Sequence, residues 1–258
     1  MRILFLLLTL LLLSVHADAA VKTKVVEYKQ GDTVLEGYLA WDDSTAVKRP
    51  GVLVVHEWTG INDHMRQRAE MLAKLGYVAF AADIYGKGVR PATQADAAKT
   101  AGLYKNNRPL LRARVRAGLE TLKQQKIVDT QRLAAIGYCF GGTTVLELAR
   151  DGADLRGVIS FHGGLSTPTP QDARNIKARV LALHGADDPF VKADEVTAFQ
   201  DEMRTAGVDW QFISYGNAVH SFTNKAAGTD NSKGAAYNEK ADKRSWEAMK
   251  VFFAEIFH

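Results

Sequence analysis

The sequence GYCFGG at residues 137–142 constrains the fold more than any other feature, because it joins a strand-like run to a helix-like run. The apolar run Leu133 to Ile136 precedes it, and Thr143 to Arg150 has the composition of a helix. The pattern is typical of a nucleophile elbow, written G-x-S-x-G, in which a strand delivers a nucleophile into a sharp turn. Here Cys139 stands at the serine position.

The residues around Cys139 are of the types that a nucleophile elbow requires. A strained turn leaves little room beside the nucleophile, and Gly137 and Gly141 carry no side chain. The helix that follows directs its positive dipole end at the sulfur, which favours thiolate. The alternative is a buried core cysteine in front of a helix. The flanking glycines favour the nucleophile.

The first twenty residues have the three parts of a secretory signal peptide. Arg2 supplies the basic region, Ile3 to Leu13 the apolar region, and Ala17 to Ala19 a small-x-small cleavage site. A membrane anchor is the competing interpretation, but the apolar run is short for a span. We therefore expect export, to the periplasm if the source is bacterial, with no stable membrane association after cleavage. A single cysteine has no disulfide partner within the chain.

Length and composition indicate one large folded domain at residues 21–258. The chain has 258 residues, 47% of them hydrophobic, and a formal net charge of +4. The basic residues are scattered and form no stripe that would bind nucleic acid. We find no repeat, low-complexity tract or linker that would divide the chain.

Strand-like and helix-like segments alternate from Gly51 to the end of the chain, after an apparent opening hairpin at Thr23 to Tyr28 and Leu35 to Trp41. Alternation of this kind predicts an α/β fold with a mostly parallel sheet and helices on both faces, preceded by an antiparallel hairpin. Asn62 is placed to cap a helix that extends to Leu75. Ligands of such sheets bind at the carboxyl ends of the strands.

Three residues near predicted strand ends follow the chain order of an α/β-hydrolase triad: Cys139, Asp188 and His220. His220 would take the thiol proton, and Asp188 would fix its tautomer and stabilise the imidazolium. Cys139 would attack an ester or lactone carbonyl to form a thioester that water cleaves. The backbone amides of Trp58 and Phe140 would hold the oxyanion. By itself Asp188 could equally shape the turn before Pro189.

Five motifs in collinear order resemble the dienelactone hydrolase family, also called carboxymethylenebutenolidases. They are GYCFGG at 137–142, HEWTG at 56–60, Asp83-Ile84-Tyr85, Asp188-Pro189 and His220-Ser221-Phe222. The resemblance extends from about Val25 to the C-terminus. It implies an α/β-hydrolase fold, a Cys-His-Asp triad, no cofactor and no metal.

The resemblance also implies roles outside the triad. Glu57 matches a buried carboxylate that helps to generate the thiolate, although the sequence alone allows a loop carboxylate paired with a base. Two arginines hold the substrate carboxylate in this family, and Lys87 and Asn224 stand at the matching positions. Asparagine carries no charge, which weakens gating of Glu57 and argues against dienelactone itself as substrate. The expected substrate contacts are Tyr85, Lys87, Ser221 and Asn224.

A broader exported esterase or lactonase, monomeric or homodimeric and acting on a small molecule, is the resulting hypothesis. A non-hydrolytic binding or thiol-redox protein on the same fold is the first alternative. A metal site built from His56, His162 and His184 with Glu57 is the second, although no tight ligand spacing supports it. The segment 224–240 is either a solvated connector or a lid in which Tyr237 and Asn238 line the pocket.

Overall fold

The computed structural model describes residues 20–44 and 46–258. The predicted signal peptide, residues 1–20, lies outside this part of the chain apart from Ala20. The strands are β1 (Val21–Gln30), β2 (Thr33–Asp42), β3 (Arg49–Val55), β4 (Val78–Ala82), β5 (Val128–Tyr138), β6 (Gly157–Phe161), β7 (Arg179–Gly185) and β8 (Trp210–Tyr215). The helices are α1 (Asp63–Lys74), α2 (Gln94–Lys105), α3 (Arg108–Lys123), α4 (Phe140–Arg150), α5 (Ala193–Ala206) and α6 (Glu239–Ile256).

The eight strands form one continuous sheet in the order β1-β2-β4-β3-β5-β6-β7-β8. The opening hairpin is antiparallel, and β2 also pairs antiparallel with β4. Every later pairing is parallel. The predicted α/β architecture, a mostly parallel sheet with an N-terminal antiparallel hairpin, is confirmed.

Alternate residues of the central strands pack into two different cores. In β3, Leu53 and Val55 join one core while Val52 and Val54 join the other, because successive side chains of a strand point to opposite faces. A strand buried on both faces reads as a continuous apolar run. This is the pattern from which the sequence predicted a central strand.

Helices cover both faces of the sheet, as predicted. Apolar side chains of α1 and α6 complete one core, for example Leu72 and Phe253. Those of α2, α3, α4 and α5 complete the other, for example Leu119, Val145 and Phe199. Asn62 caps α1 by accepting a hydrogen bond from the Met65 amide at 3.1 Å, again as expected.

Several element boundaries differ from the sequence expectation. The strand β5 is longer than the predicted run Leu133 to Ile136, and α4 begins at Phe140 rather than Thr143. Glycine weakens a helix interior, but Gly141 and Gly142 occupy its first turn, where close packing requires them. A short 3-10 helix, Pro170–Asn175, follows the polar loop predicted at residues 167–170.

The carboxyl ends of β3, β4, β5, β6 and β7 share one edge of the sheet because these strands are parallel. The side chains that follow them therefore converge on one region. Among the described residues, no helix is both long and apolar enough to cross a membrane.

Candidate active site

Cys139 occupies a sharp turn between β5 and α4. Its φ of 53° lies in the left-handed region, which side chains other than glycine rarely adopt. A Cβ on Gly137 would collide with the backbone of Gly141, and a Cβ on Gly141 would collide with the backbone of Val55. The two glycines thus allow the strained turn to pack tightly, and the sulfur stays partly accessible.

Asp188 and His220 meet Cys139 in one hydrogen-bonded line. Asp188 follows β7, and its Oδ2 lies 2.8 Å from Nδ1 of His220. The other ring nitrogen of His220, Nε2, lies 2.9 Å from Sγ of Cys139. The second oxygen of Asp188 accepts the Phe190 amide at 2.9 Å, which fixes the carboxylate.

The loop that carries His220 is tied down on both sides. The His220 amide donates to the carbonyl of Gly234 at 3.1 Å, and its carbonyl accepts from Ala236 at 3.0 Å. The imidazole is 13% exposed, and its burial by itself lowers its pKa. The Cys139 sulfur and the Asp188 carboxylate outweigh burial and raise the pKa of His220 to about 10. The environment therefore favours an imidazolium between two acceptors.

Phe140 and Trp58, whose amides are the candidates for an oxyanion hole, lie in the two segments next to Cys139. Phe140 is the first residue of α4, and amides in the first turn of a helix have no acceptor within the helix. Trp58 lies in the loop after β3 and lines the cavity that contains Cys139. These are the two amides that the sequence suggested for an oxyanion hole.

Tyr85 supports the Trp58 loop and does not line the cavity, which corrects its assignment as a substrate contact. Its hydroxyl donates to the carbonyl of Trp58 at 2.9 Å, and its own carbonyl accepts from Tyr104. Asp83 shapes this turn by accepting the amides of Tyr85 and Gly86. The ring packs against His56, Tyr104 and Phe140 and is 4% exposed, although it is near enough to the Cys139 sulfur for the two to interact electrostatically.

Lys87 lies outside the cavity, which corrects a second expected substrate contact. It is about half exposed and forms an ion pair with Glu27 of β1. Its amide donates to the carbonyl of Val34 in β2 at 2.9 Å. The positive φ angles of Gly86 and Gly88 let the loop turn toward the hairpin, so the ammonium points away from Cys139.

Glu57 is buried at the inner end of the cavity and accepts two neutral hydrogen bonds. Asn224 Nδ2 donates to its Oε2 at 2.5 Å, and Ser221 Oγ lies 3.5 Å from its Oε1. The Asn224 amide is oriented because its own Oδ1 accepts from Ala226. Burial raises the pKa of Glu57, and the hydrogen bond from Asn224 opposes that rise.

Ser221 and Asn224 line the cavity as expected, but their side chains are also committed to Glu57. The absence of a cation at position 224 predicted weak restraint of Glu57. Among the described residues the uncharged Asn224 amide takes that place as the partner of Glu57, and weaker gating stays a prediction.

The cavity has a volume of about 760 Å³. Its lining includes Cys139, His220 and Glu57 together with the apolar side chains Trp58, Phe190 and Val191. Phe190 is 62% exposed although it is a large apolar residue, and its ring meets the His220 imidazole edge-on at 5.5 Å. An exposed ring beside a reactive group is a natural contact for an apolar part of a ligand.

The segment 224–240 forms part of the cavity wall, but through other residues than expected. Asn224, Ala226, Ala227, Lys233 and Ala235 line the cavity. Tyr237 and Asn238 do not. Asn238 caps α6 and donates to the carbonyl of Asn217, while the Tyr237 ring lies beside Lys225.

The metal interpretation fails for the described residues, in which no three His, Cys, Asp or Glu side chains are grouped to hold an ion. Both ring nitrogens of His56 are engaged, Nδ1 with the Glu57 carbonyl and Nε2 with the Ile84 amide. Both nitrogens of His162 are engaged as well, with Cys139 and Thr223. The sequence placed His162 at a strand end, but only the structure shows this contact with the nucleophile turn.

Comparison with known proteins identifies the family. The family model described as "Dienelactone hydrolase family" matches residues 35–257. The chain belongs to the dienelactone hydrolase family. Its fold and its hydrolase class follow from that membership, and small molecules are the substrates of such enzymes.

Two solved structures of dienelactone hydrolase-like proteins are similar over nearly the whole chain. One, named m3DLH, is 46% identical with a TM-score of 0.89, and the match covers 93% of this chain and 100% of that one. The other is a dienelactone hydrolase-like promiscuous phosphotriesterase, P91, from metagenomic libraries. It is 43% identical with a TM-score of 0.88 and the same coverage. Protein K02A2.1 of Caenorhabditis elegans is 40% identical over 152 residues, which are 57% of this chain and 94% of that protein.

Proposed function

We propose that this member of the family hydrolyses uncharged carboxylic esters and lactones with Cys139 as nucleophile, His220 as acid and base, and Asp188 as its orienting carboxylate. The observation that carries the proposal is the unbroken line from Asp188 Oδ2 through His220 to Cys139 Sγ, with separations of 2.8 and 2.9 Å. Both lie within hydrogen-bonding range. A nucleophile, a base and an orienting group in this geometry support covalent catalysis.

In the first half-reaction the Cys139 thiolate attacks the carbonyl carbon, and the amides of Trp58 and Phe140 stabilise the oxyanion. The bond from carbon to the leaving oxygen breaks, and the His220 imidazolium gives that oxygen its proton. A thioester remains on Cys139. Neutral His220 then takes a proton from water, the hydroxide attacks the acyl carbon, and the carbon–sulfur bond breaks to restore the thiolate.

Glu57 supports the charged form of this pair. It is close enough to His220 for the two groups to influence each other electrostatically. A carboxylate near an imidazolium stabilises it, and so favours thiolate on Cys139. In this proposal Glu57 activates the thiol through His220 while Asn224 and Ser221 hold it in place.

The preference for uncharged substrates follows from the charges around Cys139. The inner end of the cavity contains the Glu57 carboxylate, and the donors beside it are neutral. Lys87, the cation expected from the family motif, is turned away toward Glu27, while Lys105 and Lys233 line other parts of the cavity. A substrate carboxylate placed beside Glu57 would therefore be repelled by it, and neither Asn224 nor Ser221 supplies a charge that offsets this repulsion.

The decisive experiment compares residues 21–258 with the Cys139→Ala variant on activated esters and lactones under reducing conditions. A matched pair, one lactone carboxylate and its methyl ester, tests the charge preference. We expect turnover only by the protein that has the Cys139 thiol, and a larger kcat/KM for the methyl ester than for the free carboxylate. Equal activity of the variant excludes Cys139 as nucleophile. Preference for the free carboxylate excludes the charge argument.

Phosphotriesters are a second candidate substrate class. P91, which is 43% identical, is described as a promiscuous phosphotriesterase, and a phosphotriester is uncharged like the proposed esters. The same thiolate would attack phosphorus and expel an alkoxide or phenoxide. A dialkyl 4-nitrophenyl phosphate added to the panel tests this, with release of nitrophenol by wild type but not by Cys139→Ala as the expected result.

We also propose that residues 1–20 direct export and are removed. Sequencing the N-terminus of the protein produced from the full chain tests this, with a start near Ala20 or Val21 expected. A product that begins at Met1 and stays inside the cell would contradict it.

A further inference from the structure

His162 lies directly behind the nucleophile and is not part of the triad. It follows β6, is wholly buried, and has a φ of 41° in the left-handed region. Its ring meets the His220 imidazole edge-on at 5.4 Å and the Phe222 ring at 5.0 Å. A strained, buried histidine that contacts both reacting residues indicates a functional constraint.

The contact between His162 and Cys139 determines the tautomer of the imidazole. The Cys139 amide donates to Nδ1 of His162 at 3.2 Å and shares its hydrogen with the Phe161 carbonyl at 3.0 Å. A backbone amide can only donate, so Nδ1 carries no proton. The proton of the neutral ring is therefore on Nε2, which lies 2.8 Å from Oγ1 of Thr223 and donates to it.

Thr223 is itself held firmly. It is 1% exposed, and its carbonyl accepts from Nη2 of Arg68 at 3.0 Å. Arg68 also pairs with Asp242, so helices α1 and α6 both fix the position of Thr223. The loop from His220 to Asn224 thus supplies the base at one residue and the partner of His162 at another.

Protonation of His162 would place a second donor opposite the Cys139 amide and break this contact. The positively charged or titratable groups that face His162 are His220, His64 and Arg68. Burial and repulsion by these groups hold the pKa of His162 well below its ordinary value. The ring accordingly stays neutral in the range where esters are assayed.

We propose that His162 is a positioning residue for the nucleophile: its unprotonated Nδ1 accepts from the amide of Cys139, and the Thr223 hydroxyl holds the ring in place by accepting from Nε2. The inference rests on the proposed function, because it concerns Cys139 as nucleophile. Without the hydroxyl, the buried Nε2 proton has no acceptor, and the ring that accepts from the Cys139 amide is held less firmly. The Cys139 amide keeps the Phe161 carbonyl but loses a firmly placed second acceptor, and the position of the sulfur becomes less well defined.

The matched variants are Thr223→Val, which keeps the shape and removes the hydroxyl, and Thr223→Ser, which keeps the hydroxyl. We expect Thr223→Val to lower kcat on the order of 10-fold with little change in KM, because the lost hydrogen bond serves the reacting geometry rather than substrate binding. Alkylation of Cys139 by iodoacetamide should slow in parallel, and Thr223→Ser should restore both. Wild-type rates in Thr223→Val, or equal losses in both variants, would overturn the proposal.

A direct measurement of the tautomer separates this inference from the proposed function. Nitrogen-15 NMR of histidine-labelled protein should show His162 with its proton on Nε2 and keep that form from pH 6 to 8. Thr223→Val should keep that tautomer and shift the Nε2 resonance, because the Nε2 proton loses its hydrogen bond. A proton on Nδ1, or an imidazolium at neutral pH, overturns the inference whatever the activity. An active Cys139→Ala variant overturns the proposed function and leaves the tautomer result standing.

Discussion

Gly185, the last residue of β7, controls how closely the His220 loop approaches Asp188. A Cβ at this position would lie 2.6 Å from the carbonyl oxygen of Ala218 and 2.7 Å from that of Val219, against a limit of 3.0 Å for real Cβ contacts. Both oxygens belong to the backbone and cannot rotate away. In Gly185→Ala the loop must therefore retreat by about 0.4 Å.

That displacement is large on the scale of the proposed triad. If it reaches the imidazole, the 2.8 Å separation of His220 Nδ1 and Asp188 Oδ2 grows to about 3.2 Å, the upper end of the hydrogen-bond range. A misplacement of 1 Å can cost about 100-fold in rate, so 0.4 Å corresponds to a loss on the order of 10-fold in kcat. Overpacking of a tight site costs about 1–3 kcal/mol, which lowers Tm by roughly 2–12 °C.

Gly216→Ala is the matched control, because Gly216 precedes the same loop and a Cβ there would meet nothing within 4 Å. We expect its Tm and kcat to stay close to wild type. The assay is thermal unfolding together with ester kinetics on all three proteins. Wild-type Tm and kcat in Gly185→Ala would refute the claim that this close approach positions His220.

Three further predictions concern individual side chains. Asp188→Asn should move the alkaline limb of the pH profile of kcat/KM to lower pH than in wild type, where it is expected near pH 10. The reason is that the Asp188 carboxylate helps to raise the pKa of His220 against the effect of burial. An alkaline limb at the wild-type pH would contradict this. Phe190→Ala should raise KM for phenyl esters on the order of 10-fold and spare methyl esters, since its exposed ring would cover apolar substrate groups; equal effects on both esters contradict it. Lys87→Ala should leave kcat/KM unchanged for every substrate, because the ammonium lies outside the cavity. A marked loss of kcat/KM would indicate that Lys87 contacts the substrate.

Much of the fold could be predicted because its signals are local. The buried run of β3 and the helix cap at Asn62 each depend on a few adjacent residues. The proximity of Cys139, Asp188 and His220 was also predictable, since the ends of parallel strands share one edge of the sheet. General topology thus places these three residues together without any knowledge of loop geometry.

The contacts that the sequence did not predict join distant loops. Asn224 and Glu57 are 167 positions apart, and Thr223 and His162 are 61 positions apart. Their pairing depends on the path of the His220 loop, which no periodicity encodes. The predicted substrate contact of Lys87 was wrong for a related reason. A motif gives the position of a residue in the chain, whereas the turn around that residue determines the direction of its side chain.

The surroundings of Glu57 connect restraint of the thiol with choice of substrate. A cation in place of Asn224 would both hold Glu57 and attract a substrate carboxylate, so the two tasks would compete for one charge. An amide performs the first task by hydrogen bonding alone, at 2.5 Å from Oε2, and contributes no charge for the second. Because Asn224 is oriented by Ala226, its NH₂ group must face Glu57, and that oxygen must accept. The site can therefore keep a carboxylate beside the His220 imidazolium with an uncharged amide as its hydrogen-bond partner, and this arrangement suits a substrate that has no charge of its own.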